Sequence, residues 1–234
     1  MEDGMDTARP KIGDPVVRKE DRRLLTGSGN FSDDANLPGQ AYAIMVRSPH
    51  AHARLRGYDL SAARNVPGVI AVFTGADALA DGLKSIPHNT IASSPPDIDL
   101  ANRDGSGHYV SPHFILPADK ARFVGEALAI VIGDSVAAAK TGAEAVIVDY
   151  EILPAVTDAA AALAPGAPQV WEEAGSNLCV DADVGDRAAT DAACARAAHV
   201  VRLDTWVQRV TGVPMEPRAA VGEFDPATGR YTIH

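Results

Sequence analysis

Short apolar runs separated by turn-forming residues organise the chain. Gln40–Val46 (QAYAIMV) predicts a buried strand closed by Arg47-Ser48-Pro49. Ser61–Asn65 predicts a short helix with Ser61 as its N-cap, stopped by the Pro67-Gly68 turn pair. Val69–Phe73 is β-branched and strand-like, and Thr74–Leu79 predicts the start of another helix. Order resumes at Ala121–Phe123. Ala127–Ile132 then predicts a strand, Ser135 caps a helix from Val136 to about Ala145, and Val146–Tyr150 predicts a further strand ended by Leu153-Pro154. Downstream, Asp191–His199 suits a short amphipathic helix and Val200–Val210 alternates like a strand. Ala219–Phe224 and Arg230–His234 suit two strands joined by the Asp225-Pro226-Ala227-Thr228-Gly229 hairpin loop.

Between these runs, residues 81–113 carry Pro87, Pro95, Pro96 and Pro112 with Gly105 and Gly107, the composition of a long loop. Such a loop is either functional, which would suit a ligand-binding α/β protein built around it, or disordered. The pattern predicts an α+β protein: a lead-in over 1–20, a unit of about 130 residues, an Ala- and Pro-rich connection over 157–169 and the start of a second α/β unit near Asn177. About 60 residues seldom bury enough surface to be stable alone. The second unit is therefore expected to be incomplete, with the terminal strand offering an open edge to a partner.

Composition narrows the function. Aromatic residues are only 5% of the chain, so Ala, Val, Ile and Leu must build the core through close helix–sheet contacts. A net charge of −10 without a basic stripe argues against nucleic acid. Cys179 and Cys194 are the only cysteines; two thiols can neither hold an iron–sulfur cluster nor build a disulfide framework, which points to a reducing cytoplasm. No stretch is long and apolar enough to predict a membrane span or a signal peptide.

Candidate chemistry is sparse. His50 and His52 alternate as two metal ligands on a strand would, but no third ligand follows at a useful spacing, so hydrogen-bonded structural histidines are expected. Gly27-Ser28-Gly29 lacks the third glycine of a dinucleotide loop, since Ser32 stands there. Neither a phosphate-binding GxxxxGK[ST] nor a GxSxG nucleophile elbow occurs. Glu126 follows Gly125 at a strand entry; it is expected to accept backbone N–H bonds rather than to act as a base. Met215-Glu216-Pro217-Arg218 can bind a carboxylate through the arginine fork or form an ion pair that fixes its loop, and the sequence leaves both open.

An ordered set of short motifs carries a family resemblance. Asp21-Arg22-Arg23-Leu24-Leu25-Thr26-Gly27, Phe31-Ser32-Asp33-Asp34 and Arg47-Ser48-Pro49-His50-Ala51-His52-Ala53 come first. Val66-Pro67-Gly68-Val69, Phe123-Val124-Gly125-Glu126 and Val148-Asp149-Tyr150-Glu151-Ile152-Leu153-Pro154-Ala155-Val156 follow, then Gln208-Arg209 and Pro214-Met215-Glu216-Pro217-Arg218-Ala219. In this order the motifs resemble the opening of the large subunit of the xanthine dehydrogenase/aldehyde oxidase/carbon monoxide dehydrogenase family, most nearly the bacterial carbon monoxide dehydrogenase-like branch.

The resemblance implies an a/b hammerhead domain over residues 22–155 and the beginning of the first molybdopterin-binding domain over 170–234. It implies a molybdenum hydroxylase that oxidises an aldehyde, an N-heterocycle or carbon monoxide with water as the oxygen source. Electrons would pass to [2Fe–2S] clusters and FAD, carried in bacteria by an iron–sulfur small subunit and an FAD medium subunit. The family's cofactor-contacting glutamine, its Gly-Gly-Gly-Phe-Gly-Gly loop and its late catalytic glutamate have no counterpart before His234. The resemblance thus assigns no catalytic, cofactor-binding or metal residue here. It implies a supporting loop at Pro214, Met215, Glu216 and Arg218, and a partner chain carrying the rest of the large subunit. The other expectation is a non-catalytic remnant or assembly module of such an enzyme.

Overall fold

The computed structural model describes residues 12–13, 18–87, 101–208, 210–215 and 218–234. They fall into two compact units, one spanning Ala41–Thr205 and the other combining the residues up to Gln40 with Trp206–His234. The second unit holds the short helix α1 (Asp21–Leu25). It also holds an antiparallel hairpin, β7 (Gly222–Asp225) and β8 (Arg230–Ile233), with Phe224 packed on Tyr231 at 4.7 Å between ring centres. The Asp225 carboxylate closes the hairpin turn by accepting the Ala227 N–H at 2.9 Å and the Thr228 hydroxyl at 2.6 Å.

In the larger unit, β1 (Tyr42–Arg47), β2 (Ala53–Asp59), α2 (Ser61–Arg64), β3 (Val69–Thr74) and α3 (Gly75–Ala80) come first. The two-residue β4 (Lys120–Ala121), β5 (Ala127–Gly133), α4 (Val136–Glu144), β6 (Ile147–Ile152) and the exposed α5 (Arg187–Arg196) follow. Two three-stranded antiparallel sheets result, in the orders β1-β5-β3 and β4-β2-β6. The strand–helix–strand run from β5 to β6 therefore passes from one sheet to the other. No helix among the described residues is long and apolar enough to cross a membrane.

The core lies where α4 and α2 meet the β5 sheet. Ala63, Ala129, Val131 and Ala139 are fully buried and Val72 nearly so. Small residues make the close approach possible. A Cβ on Gly142 would stand 2.7 Å from Val69 Cγ2 and 2.9 Å from Val131 Cγ1, and one on Gly75 would overlap the backbone of Pro117 and Ala118. Tyr58 donates its hydroxyl to the Leu128 carbonyl at 3.1 Å, linking the two sheets; burial pushes its pKa up to about 12.

Most predicted elements appear within one to four residues of their expected ends. The cap of α2 differs: Ser61 is the first helical residue, and the Asp59 carboxylate takes its N–H at 2.9 Å and its hydroxyl at 2.6 Å. Ser135 caps α4 as expected, accepting from the Ala138 N–H at 3.2 Å. β2 (ARLRGYD) is absent from the pattern-based reading because its alternation is broken by Gly57 and its bulge near Arg56. Val200–Val210 forms no strand over the described residues 200–208 and 210. Of the long loop, residues 83–87 and 101–113 carry no regular element, and 88–100 lie outside the described residues.

Glu126 follows Gly125, whose φ of +88° allows the sharp entry into β5. Its carboxylate accepts the Arg122 N–H at 2.5 Å, the acceptor role read from sequence. Burial raises its pKa above the usual carboxylate value of 4.5 and outweighs the lowering by that hydrogen bond and by the nearby Arg122 charge.

Three consequences are testable by urea unfolding. Leu128→Ala, at a fully buried site, should cost about 2–5 kcal/mol. Gly75→Ala should cost about 1–3 kcal/mol because the obstacle is backbone. The folded state holds the Glu126 proton more tightly than the unfolded chain does. That contribution is complete at low pH and fades as pH rises through the raised pKa. Glu126→Gln, which keeps an acceptor for Arg122, should therefore flatten the fall in unfolding free energy as pH climbs above 4.5.

Candidate functional site

The antiparallel pairing of β2 with β4 sets cations side by side: Arg54 on β2, Lys120 on β4 and Arg122 just beyond it. The segment Trp171-Glu172-Glu173, where a short 3-10 turn begins, crosses this edge. Lys120 has only 3% of its side chain exposed and donates to both Glu172 oxygens, at 2.6 and 2.7 Å. Arg54 Nη2 stands 3.7 Å from the same carboxylate. The hydrogen bond from Lys120 is the main reason the Glu172 carboxyl lies below the usual range. Arg122 packs its guanidinium 3.8 Å above the Trp171 ring while pairing with Asp119 at 3.0 Å.

Trp171 and Arg122 form a wall shared by two open cavities. One, of about 440 Å3, lies among Leu79, Tyr109, Phe114 and Leu116, with Asp119 and Glu173 also lining it. The other, of about 310 Å3, lies among His113, Phe114, Phe123 and Glu126. Aromatic walls with few polar groups suit holding an apolar or planar body.

Sequence reasoning missed this cluster. Its signals were a lysine next to an alanine at a strand start and a Trp-Glu-Glu run after the proline-rich linker, and neither spacing announces a contact across 52 residues.

The sequence candidates each have a local setting. His50 and His52 sit in a bend before β2 rather than on a strand. His50 packs edge-on against Tyr150 at 4.8 Å, and His52 Nδ1 bonds the Pro154 carbonyl at 2.8 Å. These are structural histidines, and the described residues contain no cluster of metal ligands. Gly27 ends α1 in the left-handed region, as a helix terminus requires. Pro214, Met215 and Arg218 are exposed, whereas Glu216 and Arg209 lie outside the described residues.

A pterin cofactor needs convergent donors around its dithiolene, phosphate and oxo groups. The described residues from 183 to 220 are all exposed, and the buried polar atoms of His52, His108 and Arg122 left without partners lie upstream of them. The described residues thus do not form a cofactor cradle, and no chemical step is assigned to them.

Comparison with known proteins agrees with the motif order. Residues 26–154 match the family model described as aldehyde oxidase and xanthine dehydrogenase, a/b hammerhead domain. Residues 170–234 match that of the molybdopterin cofactor-binding domain. The chain is 35% identical over 220 residues to the 6-hydroxypseudooxynicotine dehydrogenase complex subunit gamma of Paenarthrobacter nicotinovorans, covering 92% of this chain and 26% of that protein. It is 35% identical over 228 residues to the carbon monoxide dehydrogenase large chain of Hydrogenophaga pseudoflava, with the same coverage of 92% and 26%. Quinoline 2-oxidoreductase from Pseudomonas putida 86 superposes with a TM-score of 0.76 at 33% identity, over 93% of this chain and 26% of that one. The chain spans about a quarter of the length of these relatives. With the hammerhead match covering more than half of its residues and the molybdopterin match following it, the chain belongs to the aldehyde oxidase and xanthine dehydrogenase family of molybdenum hydroxylases.

Proposed function

We propose that this chain supplies the hammerhead domain, over about residues 22–155, and the opening of the first molybdopterin-binding domain, over about 170–234, of a molybdenum hydroxylase large subunit. The linker 156–169 joins them. The assembled enzyme oxidises an aldehyde, an N-heterocycle or carbon monoxide, with water as the source of oxygen. The molybdenum cofactor, when bound, supplies the redox centre and is gripped mainly by the remaining three-quarters of the large subunit. Electrons leave through [2Fe–2S] and FAD groups on partner subunits or domains. Pro214, Met215, Glu216 and Arg218 serve as a supporting loop, and the setting is the cytoplasm.

One observation carries this reading: the two family matches occur in order at 26–154 and 170–234, against relatives about four times as long. The relatives' names supply the substrate classes, since they act on carbon monoxide, nicotine derivatives or quinoline. The surface supports it too. Val201 and Val207 are each 93% exposed and Met215 fully so, which leaves apolar area for further parts of the subunit to cover.

The test is metal content. The polypeptide bearing this sequence is purified from its native source, and molybdenum and pterin are assayed across the fractions. Molybdenum is expected wherever the remaining large-subunit sequence is also present, and not with the 234-residue stretch by itself. Stoichiometric molybdenum on that stretch, with oxidation of an aldehyde or heterocycle, would overturn the proposal.

A further inference from the structure

The stretch that matches the molybdopterin domain begins at residue 170, and its second and third residues are Trp171 and Glu172. We infer that this dipeptide is a polar latch, a positioning element that fixes the start of the cofactor-binding stretch onto the hammerhead. The inference rests on the family assignment of residues 170–234, not on where the metal is bound.

Four observations converge on the latch. First, Lys120 is 2% exposed, and its ammonium donates to the Glu172 carboxylate from 52 residues downstream. A buried ammonium left without a partner is costly, so the Lys120 site favours the conformation that keeps Glu172 in place. Second, the Arg122 guanidinium carbon lies 3.8 Å from the centre of the Trp171 ring, and the Arg122 side chain is only 7% exposed. Two adjacent residues thus engage two cations presented by β4 and the residue after it.

Third, the segment bearing the dipeptide is braced internally. Asn177 donates to the Ala162 and Pro168 carbonyls at 3.0 and 2.9 Å and accepts the Val170 N–H at 3.1 Å. Gln169 donates to the Gly175 carbonyl at 2.7 Å. Position imposed at Trp171-Glu172 is therefore transmitted along residues 162–178. Fourth, the attachment is local. A second tie joins Asn102 and Arg103 to Asp181, with the Asp181 N–H on Asn102 Oδ1 at 2.9 Å and the two side chains of Arg103 and Asp181 in an ion pair. From residue 183 to 208 every residue is exposed. The ties run from residue 171 to 183, where Asp183 stands 3.8 Å from Arg103, and they combine ion pairs with directional hydrogen bonds, so they set one register where an apolar contact would tolerate sliding.

A double-mutant cycle read by hydrogen exchange tests this on the full 234-residue chain without metal. The variants are Glu172→Gln, Lys120→Met and the pair together, with Trp171→Leu as a second route. Glu172→Gln should speed exchange of the amides between residues 170 and 181 by about tenfold, while those of β5 keep the wild-type rate. Lys120→Met should do the same, and the double variant should be no faster than either single, because both remove one interaction. Trp171→Leu should accelerate the same amides. Unchanged exchange over 170–181 in the single variants, additive effects in the double, or equal acceleration in β5 would each overturn the latch. Because no molybdenum enters the measurement, its failure is separate from a failure of the metal assay.

Discussion

The structure depends on how closely α4 can approach the sheet centred on β5. β5 is the middle strand, antiparallel to both β1 and β3, and Leu128, Ala129 and Val131 on it are fully buried. With few aromatic side chains to fill space, packing density is reached by bringing backbones together. Gly142 on the helix and Gly133 at the strand end leave no room for a Cβ: one on Gly133 would come within 2.6 Å of the Ala139 nitrogen. This spacing in turn fixes Asp134 and Ser135, since the Asp134 N–H bonds the Gly68 carbonyl at 2.8 Å and ties the helix entry to the turn before β3.

The second sheet is governed by charge as well as by packing. β2 presents Arg54, β4 presents Lys120 with Arg122 just beyond it, and the segment after the linker answers with Trp171 and Glu172. Burying Lys120 costs desolvation that only a well-placed carboxylate offsets, so the contact selects one position for the incoming chain. Through it the hammerhead acts as the foundation for the residues that open the molybdopterin-matching stretch. The hammerhead's own histidines serve the same end: the His52 bond to the Pro154 carbonyl, with the Leu153 N–H on the His52 carbonyl at 2.9 Å, holds the chain as it leaves β6.

Beyond residue 183 the physics changes. Apolar side chains from Val200 to Val213 meet solvent, and the alternation of Val200–Val210 does not become a strand. Alternation specifies which residues share a face, but a strand forms only where a neighbouring strand takes its backbone hydrogen bonds, and none among the described residues does so. The β7–β8 hairpin forms because its partner lies five residues away across a turn whose Asp, Pro and Gly suit it.

Local patterning determined what depends on near neighbours. Strands β1, β3, β5, β6, β7 and β8, the Ser135 cap and the acceptor role of Glu126 were legible because each rests on side-chain alternation, a turn residue or a bond within four positions. The motif order likewise carried the family, now matched over 26–154 and 170–234. Tertiary structure decided the rest. It assigned β5 and β6 to different sheets, recruited Ala53–Asp59 into a strand despite its charges, and set the histidines into a bend. It also joined Lys120 to Glu172 and Arg122 to Trp171. Such pairings join residues about 50 positions apart, and the energy that selects them is burial and desolvation, which exists only once the chain has folded.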